Sequence, residues 1–197
     1  MGFTTIVLAG GKSLRMGKDK AFIEFEGQSL IQRTLDTLEP LFEKIAIISK
    51  IKEPFLSLGV PVYEDIYSEG GPMSGLYTGL FYSDGPIFAV ACDMPFLNPE
   101  VVRFLTGKLQ NFDAVVCQSP DGLHPLHAAY SKSVLPLMEN SLNNGDVKMM
   151  KFLEKIKLLK IDCNQIRHLD PDIRFLSNIN TPGDLKKCRE MAKNSIL

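Results

Sequence analysis

The chain has no excess of charge of either sign: 22 Lys and Arg stand against 23 Asp and Glu, a formal net charge of -1. That excludes the strong basic surplus of a nucleic-acid-binding domain. No stretch approaches the roughly 18 to 20 apolar residues of a membrane span. The N-terminal residues form no basic leader with a long apolar core, and Met1-Gly2 is not followed by Ser or Thr at position 6, so neither export nor myristoylation is expected. The four cysteines, Cys92, Cys117, Cys163 and Cys188, form no C-x-x-C pair. Three lie in or beside apolar runs, which predicts buried free thiols and a reducing, cytoplasmic setting. Internal repeats, low-complexity linkers, a Ser-His-Asp signature and HExxH are also missing, so neither serine nor zinc hydrolysis is indicated.

What is present is an ordinary globular composition, 45% hydrophobic and 23% charged over 197 residues, enough for one domain with a full core and short for two. The informative stretch is Leu8 to Ala21. It leaves a short Ile- and Val-rich run, Thr4 to Leu8, that reads as a buried strand. Gly10, Gly11 and Gly17 permit backbone conformations that a Cβ forbids and let main-chain N–H groups approach a ligand. Lys12, Arg15, Lys18 and Lys20 add positive charge, with Asp19 alone opposing. A small anion such as polyphosphate is the expected ligand. The loop is not a P-loop: five residues separate Gly11 from Gly17-Lys18 where four are needed, and Asp19 stands where a hydroxyl belongs. G-x-G-x-x-G is absent as well.

Further along, Leu30, Ile31, Thr34, Leu35, Leu38, Leu41 and Phe42 share a helical face that starts after the N-cap candidate Ser29. Strands are expected at 45–48, 60–63, 86–92 and 113–117, and helices at 73–82 and 98–109, with Pro99 suited to the first helical turn. Pro86 to Cys92 is apolar throughout, as a central parallel strand buried on both faces would be. A short helix is expected at 54–58. Gly71, Gly75 and Gly79 are four apart, a smooth stripe that lets a helix lie close to a neighbour or a ligand. Beyond residue 118 the pattern predicts a loop at 119–127, a strand at 128–130, helices at 133–142 and 147–156, edge strands at 157–162 and 173–176, and a terminal helix at 181–193. The alternation predicts an α/β fold with a mostly parallel central sheet, flanked by helices and wound right-handed. Ligands bind outside the carboxyl ends of such strands. The Gly-rich loop, Glu64-Asp65 and Cys92-Asp93 all begin at such ends and should share one crevice.

Asp93, directly after the central strand, is placed to hold Mg²⁺, which takes oxygen ligands; the plainer reading is a cap on the turn made with Pro95. Asp65 could serve metal, base or ribose, or only cap its loop. His124 and His127 are three apart, with Pro125 between them and no third His or Cys nearby, which disfavours zinc and suggests a loop that touches substrate. Asn178 and Asn180 point the same way if extended and could hydrogen-bond a polar ligand. Thr181-Pro182 reads as the cap and first residue of the last helix.

Leu8-Ala9-Gly10-Gly11, Arg15-Met16-Gly17, Asp19-Lys20-Ala21, Glu64-Asp65, Gly71-Pro72-Met73-Ser74-Gly75, Cys92-Asp93-Met94-Pro95, His124-Pro125 and Asn178-Ile179-Asn180-Thr181-Pro182 occur in the order seen in molybdenum cofactor guanylyltransferases. The chain resembles that family from about residue 3 to 187. The resemblance implies a Rossmann-like nucleotidyltransferase fold and transfer of GMP from GTP to the terminal phosphate of Mo-molybdopterin, with release of pyrophosphate. It implies a single domain, with residues 1–117 as the nucleotide-binding half and 118–197 as the pterin or acceptor half. It implies nucleotide contacts from Leu8, Ala9, Gly10, Gly11 and Asp65, phosphate contacts from Arg15 and Lys20, and a nucleotide-associated Mg²⁺ on Asp93. Asn178 and Asn180 match positions tied to the pterin side or the reacting phosphates. Proteins that deliver molybdopterin or mature molybdoenzymes are implied as partners. The family often has an Asn after the second strand; here the segment reads Ile48-Ser49-Lys50-Ile51 and is one residue shorter.

Two relatives would use the same chemistry. A cytidylyltransferase for the same cofactor has Leu-Ala-Ala-Gly in the first loop, so Gly10 favours guanine. A sugar- or alcohol-phosphate nucleotidylyltransferase should be longer or differ around Asp93. From another class, a carrier of nucleotide or cofactor without turnover would not need both Lys20 and Asp93.

Overall fold

The computed structural model describes residues 2–9 and 20–194. Its framework is a seven-stranded sheet made of β1 (Thr4–Leu8), β4 (Lys44–Ser49), β5 (Val62–Glu64), β6 (Ile87–Ala91), β7 (Ala114–Ser119), β8 (Gly122–Tyr130) and β9 (Leu158–Asp162), in the order β5-β4-β1-β6-β8-β7-β9. Two short strands, β2 (Glu24–Phe25) and β3 (Gln28–Ser29), form a separate hairpin. β1 pairs parallel with both β4 and β6, β4 with β5, and β7 with β9. Only β8 runs against its neighbours, between β6 and β7.

Alternation along the strands sends successive side chains to opposite faces, and helices cover both. On one face α1 (Leu30–Leu38) and α3 (Pro99–Gly107) bury Ile31, Leu35, Leu38, Val101, Val102 and Leu105 against Val7, Ile47, Phe88, Val90 and Val115. On the other, α2 (Pro72–Tyr82), α4 (Leu135–Asn143) and α5 (Met149–Leu153) cover Ile6, Ile48, Ala89 and Tyr130. The last helix, α6 (Pro182–Lys193), packs Cys188 with Ile23, Phe25 and Ile179. Caps follow the sequence: Ser29 Oγ accepts from Gln32 N–H, Asn98 Oδ1 from Glu100 N–H, and Thr181 with Asp184 closes a reciprocal capping box.

The glycine stripe of α2 sets how close that helix lies to β1. A Cβ on Gly79 would stand 2.4 Å from Ile6 Cδ1, and one on Gly75 would stand 2.7 Å from Leu8 Cδ2. Gly71, at φ 54, is the N-cap and turns the chain into the helix.

Two local expectations change. The segment expected as a loop at 119–127 is mostly β8, which starts at Gly122. Its signal is hidden because the β7–β8 pairing slips: Gln118 pairs with Leu123 and Val116 with Ala128, leaving residues 124–127 opposite Cys117 alone. That bulge breaks the period-two pattern and accommodates Pro125, which has no N–H for a ladder. The same hairpin supplies the one antiparallel strand of the mostly parallel sheet that was expected. Residues 174–176 form a 3-10 turn and not an edge strand, after Ile173 in the left-handed region at φ 54.

Candidate active site

A crevice of about 560 Å³ opens at the carboxyl ends of β1, β4 and β6. Leu8, Lys20, Asp65, Asp93, Asn178 and Asn180 all line it, so the strand-end rule brought the separate motifs to one place. Ala9 lies behind the wall: it is buried in the core, and its N–H donates to Ile48 O at 2.9 Å. Gly10, Gly11 and Arg15 lie outside the described residues.

Lys20 begins a 3-10 turn, Lys20–Phe22, that buries Ala21. From there its ammonium reaches the Asp93 carboxylate at 3.3 Å and also donates to Asn180 Oδ1. Asp93 follows the continuously buried β6. Burial pushes its carboxyl up from the ordinary value, while the charge and hydrogen bond of Lys20 oppose that shift. Ile179 N–H donates to the Asp93 carbonyl at 2.9 Å, and Ile179 itself is buried. This anchor turns Asn178 and Asn180 toward the crevice on either side, as alternation requires. Asn178 Nδ2 donates to Leu176 O at 3.1 Å.

Asp65 stands across the crevice, after β5, with its N–H donating to Ser49 O at 3.1 Å. Its Oδ1 is buried and has no hydrogen-bond partner among the described residues. Burial raises this carboxyl as well, against the charge of Lys50 and the neighbouring Ser74 hydroxyl. That hydroxyl gives its hydrogen to Tyr67 O at 2.7 Å, so it does not satisfy Oδ1. A buried acceptor left open is costly.

Sequence reasoning missed one lining residue and one side-chain pairing. Lys50 lines the crevice and donates to Ser68 O at 3.3 Å; it sits in the segment where the family pattern has an Asn. The α2 N-terminus contributes Gly71, Pro72 and Gly75, in keeping with a glycine stripe that lets a helix lie close to a ligand. His124 is paired with Ser119, Nε2 to Oγ at 2.7 Å, a contact that the hairpin creates. His127 is fully buried between the rings of Phe88 and Phe175, at 5.2 and 5.0 Å, and neither of its nitrogens has a hydrogen-bond partner among the described residues. Among those residues no group of three or more His, Cys, Asp or Glu could hold a metal.

A mostly parallel sheet with a crevice at its strand ends is the fold of known nucleotidyltransferases, and the family match below places the chain among them. The 2-C-methyl-D-erythritol 4-phosphate cytidylyltransferase of Thermus thermophilus has the same fold, with TM-score 0.73 at 14% identity over 98% of this chain and 100% of that one. The particular family follows from the sequence: residues 5–161 match the model of the MobA-like NTP transferase domain, and the chain belongs to that family. It is 36% identical to the probable molybdenum cofactor guanylyltransferase of Pelotomaculum thermopropionicum, covering 98% of this chain and 94% of that one. It is 31% identical to the molybdenum cofactor guanylyltransferase of Syntrophotalea carbinolica, covering 94% and 90%. The molybdopterin-guanine dinucleotide biosynthesis protein A of Archaeoglobus fulgidus superimposes with TM-score 0.86 at 26% identity, over 98% of this chain and 100% of that one.

Proposed function

We propose that the protein transfers GMP from GTP to the terminal phosphate of Mo-molybdopterin. The observation that carries this reading is the junction of Lys20, Asp93 and Asn180 at the carboxyl end of the central strand, in a chain whose relatives are named for that reaction. An oxygen of the acceptor phosphate forms a bond to the α-phosphorus of GTP, the bond to the β-phosphate oxygen breaks, and pyrophosphate leaves. A phosphate monoester carries nearly two negative charges at neutral pH, so it needs no general base. Positioning and charge neutralisation supply most of the catalysis.

Each crevice residue has a part. Lys20 and Arg15 neutralise the phosphates, Leu8, Gly10 and Gly11 cradle the nucleotide with the buried Ala9 backing them, and the open Asp65 Oδ1 accepts from it. Asn178 and Asn180 orient the acceptor phosphate. Asp93 would hold Mg²⁺, and its fit is supported by burial that disfavours the lone carboxylate, a penalty that an added cation offsets. The metal would supply positive charge to the transferring phosphate. Residues 1–117 form the nucleotide half and 118–197 the acceptor half of one domain. Four buried free cysteines support a cytoplasmic, reducing location, and no helix among the described residues is long and apolar enough to cross a membrane. Proteins that deliver molybdopterin or mature molybdoenzymes are the partners this reading implies.

The test is nucleotide choice. The protein, Mg²⁺ and Mo-molybdopterin are incubated with GTP or CTP, and the dinucleotide is identified by mass spectrometry. GMP transfer alone is expected. CMP transfer would make the protein a cytidylyltransferase, and transfer from neither would point to another phosphate acceptor.

A further inference from the structure

The β7–β8 hairpin carries a polar pair that phosphate chemistry does not use. Ser119 ends β7 and His124 lies early in β8, with Oγ and Nε2 2.7 Å apart. The Ser119 oxygen already accepts the Asp121 N–H at 3.1 Å, and a hydroxyl has one hydrogen to give. Directed at Nε2, that hydrogen leaves the imidazole proton on Nδ1. With Ser119 as the donor, His124 is a neutral ring whose single donor is Nδ1–H.

Its neighbours on the crevice wall, Leu123, Pro125 and Leu126, are apolar. An apolar surface bearing one oriented donor suits a flat heterocycle with an acceptor on its edge. The sheet order also separates this wall from the nucleotide side: β8 lies beyond β6, whereas Lys50 and Asp65 follow β4 and β5 on the far side of β1. We propose that the hairpin is the ring-recognition subsite for the acceptor, with Leu123, Pro125 and Leu126 carrying the pterin face and His124 donating from Nδ1 to a carbonyl oxygen or ring nitrogen. Ser119 is the positioning residue. This inference rests on the guanylyltransferase reading and names the acceptor-ring contact within it. Burial lowers the pKa of His124, against the charge of Asp121, which keeps the ring uncharged at neutral pH. An uncharged donor reads the ring without competing for triphosphate.

The experiment compares wild type with H124L, H124Q and S119A, varying GTP and Mo-molybdopterin separately under anaerobic conditions. H124L is expected to raise the acceptor KM about tenfold, the effect of one lost hydrogen bond, while kcat and the GTP KM stay within about twofold. H124Q, whose amide still donates, should recover most of the loss, and S119A should fall between. An unchanged acceptor KM in H124L overturns the proposal, and so does a rise confined to the GTP KM, which would assign the hairpin to the nucleotide base. In parallel, ¹⁵N-histidine NMR identifies His124 among the three histidines by its loss in H124Q. A protonated Nδ1 that shifts when Mo-molybdopterin is added without GTP supports the subsite whether or not turnover occurs; a protonated Nε2, or no shift, overturns it. Failure of the wild type to transfer GMP would instead defeat the functional reading, which the NMR result does not depend on.

Discussion

The Lys20 ammonium lies 3.3 Å from the Asp93 carboxylate, joining the end of the glycine-rich loop to the end of the central strand. Lys20 holds the Asp93 carboxyl down against burial, so its removal raises that pKa further. Lys20→Ala should lower kcat by about 10²–10³-fold, the usual effect of losing one group aimed at developing charge. If ionised Asp93 is required, the acid limb of the pH–rate profile should also move to higher pH in this variant. An acid limb at the wild-type position would separate Lys20 from Asp93 in catalysis.

Asp65 presents the opposite balance between stability and function. Its folded pKa is raised by burial, so its contribution is favourable below the unfolded value and is lost as pH rises through the folded one. At pH 7 the ionised carboxylate therefore disfavours the fold. Asp65→Asn removes that charge in nearly the same shape and should raise the thermal midpoint at pH 7. It should also weaken GTP binding by about tenfold or more, as expected when a charged acceptor is lost. Calorimetric titration and thermal unfolding on the same sample read both effects. A variant that is stabilised yet binds GTP normally would remove Asp65 from the nucleotide site.

The first 117 residues were legible because their strands are short, apolar and bounded by helices with clear caps: Ser29, Asn98 and Pro99 stand where they were expected. The crevice followed, since Leu8 ends β1 while Asp65 and Asp93 lie just past the ends of β5 and β6. The second half was harder because its central feature is a mismatch. Residues 124–127 lie against one residue of β7, and no periodicity survives that. Ser119 and His124 meet only because the hairpin forms, so their spacing of five carried no signal. Lys50 was overlooked because the family pattern directed attention to the absent Asn beside it. Asn178 and Asn180 were read correctly from alternation, although Ile179 is held by the Asp93 carbonyl and not by a sheet partner.

Two glycines should respond in opposite directions to the same substitution. Gly79→Ala places a Cβ 2.4 Å from Ile6 Cδ1, on the buried contact between α2 and β1. Overpacking of that kind costs about 1–3 kcal/mol, more than the roughly 1 kcal/mol that Ala gains over Gly in a helix. Gly107, at the end of α3, has nothing within 4 Å of the added carbon, so Gly107→Ala should stabilise by about 0.5–1 kcal/mol. Urea unfolding of the two variants checks the pair. Stabilisation by Gly79→Ala would mean that α2 does not lie as close to β1 as described.

His127 should make the fold sensitive to acid. Enclosed by Phe88 and Phe175, its imidazole is pushed by burial, and secondarily by His124, from 6.5 down to about 3. The folded state thus binds the proton more weakly than the unfolded chain. Above pH 6.5 the group is neutral in both states and has no effect; below it the unfolded state gains the proton first. Stability should fall by about 1.4 kcal/mol per pH unit through that window, levelling off once pH passes the folded value near 3. His127→Leu keeps an apolar side chain between the two rings and removes the titration. Denaturant midpoints measured from pH 7 to 4 should therefore diverge, with wild type losing ground as pH falls. Parallel curves for the two proteins would show that His127 finds a proton partner in solution and is not the source of acid lability.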